Sequence, residues 1–142
     1  MTAEDIIAHF NLAPHPEGGW YRETWAAAAQ SGVRPAGTAI LFLLCADQHS
    51  HWHRVDAAEI WHFHAGAPLE LRIASDKQGP AVAHLLGIDF TQGQHPQAIV
   101  PPQHWQAARS LGDWTLVGCT VSPGFRFEGF ELAPPEFDIP DR

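Results

Sequence analysis

Five of the ten histidines fall between His49 and His64, and their spacing carries more information than their number. His49, His51 and His53 alternate, so a β-strand would set all three imidazoles on one face, with Ser50, Trp52 and Arg54 on the other. A second alternating run begins at Glu59, with Glu59, Trp61 and Phe63 on one face and Ile60, His62 and His64 on the opposite one. Two strands joined by the short turn Asp56-Ala57-Ala58 would lie side by side. In that register His51, His53 and Glu59 converge on one concave face, and Trp61 and Phe63 line the wall beside them.

Such a set supports two chemistries. Two imidazoles and a carboxylate are ligands that Zn²⁺, Fe²⁺, Ni²⁺ and Mn²⁺ accept while positions stay open for water or substrate. Without a metal the same groups are acid–base catalysts, because an imidazole oriented by a carboxylate titrates near neutrality and removes a proton from carbon or oxygen of a polyol or sugar. Tyr21, the only tyrosine, is the candidate partner acid. The structural alternative is a hydrogen-bonded polar cluster inside a barrel, with Glu59 holding one imidazole.

The elements that must position these residues read as strands. At 142 residues the chain is one domain spanning 1–142, large enough to bury about two-thirds of its unfolded surface around a single core. Charged residues make up only 17%, whereas glycine and proline contribute twelve each, which favours short strands and many turns over long helices. Thr2 caps a short helix whose apolar face is Ala3, Ile6, Ile7 and Phe10 and which stops before Pro14. HPEGG is turn chemistry, and WYRETW reads as a strand with Tyr21 and Arg22 on opposite faces. Residues 26–37 form a loop of the kind used as a lid or dimer contact. TAILFLLCA is apolar on both faces, as suits a central strand covered on each side or one at a subunit interface. LELRIAS, AVAHLLGID, AIVPPQHWQAA and WTLVGCTVS continue the series, and the tail PPEFDIPDR fits neither a helix nor a central strand. About eight or nine short strands with one helix is the arithmetic of an all-β sandwich or barrel.

Composition excludes several functions. A formal charge of −8, with Lys77 the only lysine, argues against nucleic-acid and anionic-membrane partners. The arginines are scattered singly, although folding can gather some of them, Arg22 among them, around an acidic ligand. Trp61, Phe63 and Trp105 are candidate stacking walls for a sugar ring or base. No Gly-rich phosphate loop, nucleophile elbow or Cys-x-x-Cys pair is present, so hydride, acyl-enzyme and phosphoryl chemistry lack support. The acidic start Met1-Thr2-Ala3-Glu4-Asp5 is unlike a secretory n-region, and the longest apolar run, Ala39 to Ala46, is too short for a bilayer; a cytoplasmic protein is expected. Cys45 and Cys119 sit in apolar runs and read as buried small hydrophobes rather than a disulfide.

The central stretch resembles the first motif of the cupin superfamily, Gly-x5-His-x-His-x3-4-Glu-x6-Gly, through His51, His53, Glu59 and Gly66. It departs at Cys45, where the first glycine belongs, and in the five residues between His53 and Glu59. Of the second motif, Gly-x5-Pro-x-Gly-x2-His, only Pro101 matches, since Gln103 stands for the glycine and Gln106 for the histidine. Gln106 is therefore a weak oxygen ligand at best or a ligand-binding amide. Three blocks, HPEGGWYRETW, SHWHRVDAAEIWHFHAGAPLEL and LVGCTVSPGFRFEGFEL, spanning residues 15 to 132, look like the cupin-like family of uncharacterised proteins once termed a domain of unknown function. The resemblance implies a jelly-roll β-barrel (double-stranded β-helix), a homodimer, and a pocket similar to that of sugar-nucleotide epimerases. The resulting expectation is a small polar ligand bound in the barrel, with sugar or sugar-nucleotide isomerase or epimerase chemistry. The alternatives are a non-catalytic binding or sensor cupin and a divalent-metal enzyme. With one motif histidine missing, the metal (Zn, Ni, Mn or Fe) is expected to be partly occupied or absent.

Overall fold

The computed structural model describes residues 1–141, which form one α-helix and eleven strands. In chain order these are α1 (Ala3–Phe10), β1 (Ala13–Pro14), β2 (Trp20–Ala26), β3 (Thr38–Cys45), β4 (His49–Val55), β5 (Ala58–Gly66), β6 (Leu69–Ala74), β7 (Val82–Leu86), β8 (Gln97–Val100), β9 (Trp105–Ser110), β10 (Trp114–Ser122) and β11 (Phe130–Leu132). The strands make two antiparallel sheets, ordered β1-β2-β3-β10-β5-β8 and β11-β4-β9-β6-β7. This is the expected all-β jelly roll. No helix of the described residues is long and apolar enough to cross a membrane.

The N-terminal helix forms because its first turn is doubly satisfied. Thr2 Oγ1 accepts from the Asp5 amide at 3.1 Å while Asp5 Oδ2 accepts from the Thr2 amide at 2.9 Å, a reciprocal capping box. Asn11 ends it at φ 53°, in the left-handed region. Its apolar face lies on the outer side of β3 and β10, over Leu43 and Leu116. The doubly apolar TAILFLLCA is thereby explained. Phe42 and Leu44 point into the barrel with Trp61, Leu71, Leu86 and Val117, and Leu43 points under the helix.

Two local features decide where the chemistry lies. β4 and β5 are not neighbours: β4 runs between β11 and β9, and β5 between β10 and β8 in the other sheet. The joining residues 56–58 contain neither glycine nor asparagine, which a two-residue hairpin needs for its positive φ. The corner instead crosses from sheet to sheet. It is pinned by the Asp56 amide on the Gly129 carbonyl (3.0 Å) and by the Asp56 carboxylate on Arg34 (2.6 Å) and Arg126 (3.2 Å).

The second feature is a bulge in β4. Ser50 pairs with Ala108 and His53 with Gln106, so His51 and Trp52 together oppose Ala107 alone. The His51 amide is drawn to the Glu17 carbonyl, 2.9 Å away in the turn before β2. That approach requires Gly18 (φ 107°), because a Cβ there would run into the His49 carbonyl. The extra residue breaks the alternation of the histidines, so Ser50 and His53 are buried while His51 and Trp52 turn to the outer face.

The C-terminal tail covers that outer face. Ile139 is fully buried, Trp52 Nε1 donates to Asp138 at 2.8 Å, and Arg72 lies over the Trp52 ring while donating to the Ile139 carbonyl at 2.7 Å. Both cysteines are free.

Packing outweighs capping in this layer. Leu43→Ala, at a position with no exposed surface, is expected to lower unfolding free energy by about 2–5 kcal/mol. Thr2→Ala, which removes only the cap, is expected to cost about 1 kcal/mol. Urea titrations of the two variants check the order.

Candidate active site inside the barrel

At one end of the barrel the two sheets separate around a cavity of about 290 Å³. Register sets its walls. Val121 of β10 aligns with Glu59 of β5 and Thr38 of β3 in one sheet, and His53 of β4 aligns with Gln106 of β9 in the other. Tyr21 and Glu23 enter from β2, and Phe125, Phe127 and Phe130 close the mouth.

Glu17 is carried in by the glycine turn that made the bulge. Its Oε2 lies 3.0 Å from His53 Nε2, with both side chains almost entirely buried. The other ring nitrogen, His53 Nδ1, lies 2.8 Å from the His51 carbonyl, which can only accept, so Nδ1 carries a proton. Burial alone would lower the His53 pKa, but the facing Glu17 charge outweighs it and, with Glu59 adding, raises it to about 9. Burial opposes ionisation of Glu17 as well, yet the imidazolium keeps its pKa below the ordinary carboxylate value. The pair is charged at neutral pH. Ser50 pulls least on that carboxylate, and its buried Oγ has no partner in hydrogen-bonding geometry among the described residues.

Glu59 is the counterpart. Burial, reinforced by the Glu17 charge and partly offset by His53 and Gln106, lifts its pKa from 4.5 to about 7. The donor-only Trp61 indole gives its hydrogen to Gln106 Oε1 at 2.7 Å, which fixes the amide so that Nε2 donates to Glu59 Oε1 at 2.8 Å. No nitrogen or hydroxyl donor reaches the other oxygen, Oε2, among the described residues, and the Cys119 thiol is the neighbouring weak donor to this carboxyl. The Cys119 thiol lines the same space and stays protonated, its pKa driven up by burial and the neighbouring carboxylates. His15 stays neutral because burial lowers its pKa, and its Nδ1 accepts from the Glu17 amide at 3.1 Å.

Of the residues singled out from sequence, His53, Glu59 and Tyr21 line the cavity and Gln106 lies directly behind Glu59. His51 does not join them: the bulge turns it outward, where Nε2 meets the Pro134 carbonyl at 2.7 Å. Trp61 is buried behind Gln106, and Phe63 packs against the apolar core rather than the cavity. Trp105 is on the outer side of its sheet, beneath Arg54 and Lys77, and Arg22 donates to the Phe10 carbonyl. Glu17, Glu23, Cys119 and the three phenylalanines escaped sequence reasoning, although Glu17 stands inside the HPEGGW block. Nor do the residues fit a metal. Both His53 nitrogens are engaged, His51 is outside, and among the described residues no three His, Cys, Asp or Glu side chains are grouped to hold an ion.

Two antiparallel sheets rolled around an interior acid–imidazole site make this a cupin barrel. More narrowly, the sequence profile of one family, Cupin superfamily (DUF985), matches residues 4–133, and the chain belongs to that family. Among solved structures, a Shewanella oneidensis protein is 38% identical with a TM-score of 0.88, the match covering 94% of this chain and 85% of that one. A hypothetical protein from Leishmania major is 33% identical with a TM-score of 0.84, over 94% and 88% of the two chains. Oxalate decarboxylase from Bacillus subtilis shares the fold alone, at 13% identity and a TM-score of 0.63 over 84% of this chain and 29% of that one. The curated proteins contain no match.

The two raised pKa values set a pH dependence with a definite sign. Between 4.5 and about 7 the folded state retains a proton on Glu59 that the unfolded chain has lost, so stability falls with rising pH by about 3 kcal/mol. Between 6.5 and about 9 the same holds for His53, whose stabilising charge is complete below 6.5 and lost through 9. Urea unfolding across this range is expected to show Glu59→Gln abolishing the first decline, and Glu17→Gln abolishing most of the second and shrinking the first.

Proposed function

We propose that this protein is an isomerase- or epimerase-type enzyme that moves a proton on a small polar carbonyl or polyol ligand, with Glu59 as the base. The observation that carries this reading is the buried Glu59 carboxyl, which lines the cavity, is poised near neutrality and has Oε1 held by Gln106. His53 is the fixed counter-ion of Glu17 rather than the proton carrier, because neither of its nitrogens is free. Tyr21 lines the same cavity and serves as the partner acid.

The cavity is at the lower end of the roughly 300–1,000 Å³ typical of ligand pockets, which favours a ligand of single-ring size. Neither lysine nor arginine lines it, which weighs against a sugar nucleotide and for a ligand without phosphate. The second reading is a non-catalytic binding cupin. It is favoured by one observation, the glutamine at 106 where the cupin pattern has a histidine.

Deuterium incorporation separates the two. Sugars and hydroxy-carbonyl compounds that raise the melting temperature are incubated with the protein in D₂O and followed by NMR. Exchange at the carbon beside the carbonyl is expected, with Glu59→Gln slowing it by about 10²–10⁴ and Tyr21→Phe slowing it less. Ligands that stabilise the fold yet never exchange would leave the binding protein as the answer.

A further inference from the structure

The cavity has two chemically distinct ends. Deep inside are Glu17, His53 and Glu59, and at the mouth stand Phe125, Phe127 and Phe130 with Tyr21 and Glu23 on the β2 wall. The three phenyl rings form a corner, with centroids 5.0, 5.7 and 6.2 Å apart and interplanar angles of 85°, 64° and 85°. Phe127 remains more than half exposed in spite of its size. Core burial does not account for Phe127, which lines the same cavity as the Glu23 carboxylate.

The charges around this mouth are one-sided. Every ionisable lining residue is an acid except the two histidines and the phenol and thiol of Tyr21 and Cys119, and the one charged imidazole, His53, is matched by Glu17. The arginines Arg34 and Arg126 line no part of the cavity, and both donate to the single Asp56 carboxylate. Glu23 is exposed, lines the cavity and has no ion-pair partner among the described residues. Aromatic walls beside an unneutralised carboxylate attract an organic cation, because the ring faces carry negative potential and the carboxylate supplies the counter-charge. The protein's net charge of −8 draws cations toward the same opening.

We propose that the ligand of this cavity carries an ammonium group, held at the mouth by Phe125, Phe127, Phe130 and Glu23 while its polar remainder reaches Glu59. The inference rests on the functional reading for the location of the site, not for its chemistry. It narrows the substrate class to amino-carbonyl or amino-polyol compounds. Glu23 and Phe127 become specificity-determining residues.

Isothermal titration calorimetry of the intact protein tests this with two matched sets of probes. Choline is compared with its carbon isostere 3,3-dimethylbutanol, and aminoacetone with hydroxyacetone and pyruvate, so that quaternary and primary ammonium groups are distinguished. In at least one set the ammonium compound is expected to bind about tenfold or more tightly than its neutral partner. Glu23→Gln and Phe127→Leu, both at exposed positions, are expected to reduce that preference to less than threefold, about the level of one rim contact, by weakening the ammonium probe more than its neutral partner. Equal or tighter binding of the neutral or anionic probes overturns the proposal, as does the failure of every probe to bind at millimolar concentration. Proton exchange on neutral ligands with no ammonium preference would sink this inference alone. Ammonium preference without exchange would sink only the isomerase reading.

Discussion

Two charges buried inside a small barrel persist only if each provides the solvation that the other has lost, and the Glu17–His53 pair meets that condition at 3.0 Å. Removing either partner would strand the other, at a cost of about 3–5 kcal/mol. Much of the local architecture follows from bringing these two residues together. Glu17 comes from the turn joining β1 and β2 of the six-stranded sheet and His53 from the other sheet, so the pair fastens the layers at the end where the cavity separates them. The glycine turn must pass close against β4 to deliver the carboxylate, and the bulge in β4 is the geometric consequence.

The same pair divides the labour between the interior carboxylates. Glu17 faces a full positive charge and stays ionised, whereas Glu59 is raised chiefly by burial, which the pull of the His53 charge offsets only in part, and it approaches half-protonation near neutrality. Environments that push two neighbouring carboxylates apart in pKa create distinct acid–base roles. Within the proposed chemistry, His53 shapes the electrostatics that tune Glu59 while its own proton stays in place.

The sequence made the barrel legible because strand-length apolar runs and turn residues are local signals, and the helix cap at Thr2 was readable for the same reason. It also led to His53, Glu59, Tyr21 and Gln106, whose inward orientation follows from simple alternation within each strand. It failed where a single inserted residue changed parity: His51 was expected beside His53, and no local signal marks a bulge whose cause is the distant Glu17 carbonyl. Side-by-side pairing of β4 and β5 is not what forms, because the 56–58 corner carries the chain from one sheet to the other, although β2 and β3 or β6 and β7, equally consecutive, do pair. Glu17 itself looked like part of a turn. Its partner is set by tertiary packing, and only the block resemblance around HPEGGW pointed to it.

Gln106 shows how one side chain sets what such a barrel can do. A histidine at that place would offer a lone pair to a metal or a hydrogen to the carboxylate, and Glu59 would be one ligand among several. Glutamine has both an acceptor and a donor, and Trp61 fixes which way round they lie: the indole takes the oxygen, and the amide hydrogen must go to Glu59. Burial outweighs the His53 charge and the amide bond, both of which favour the ionised carboxylate, so its proton affinity stays high. With His51 turned outward by the bulge and His53 held between Glu17 and a backbone carbonyl, neither motif imidazole offers a lone pair to the cavity opposite Glu59. Glutamine at 106 thus departs from the metal-binding pattern, while burial, against the lowering effect of the amide bond, brings Glu59 to a pKa suited to proton transfer.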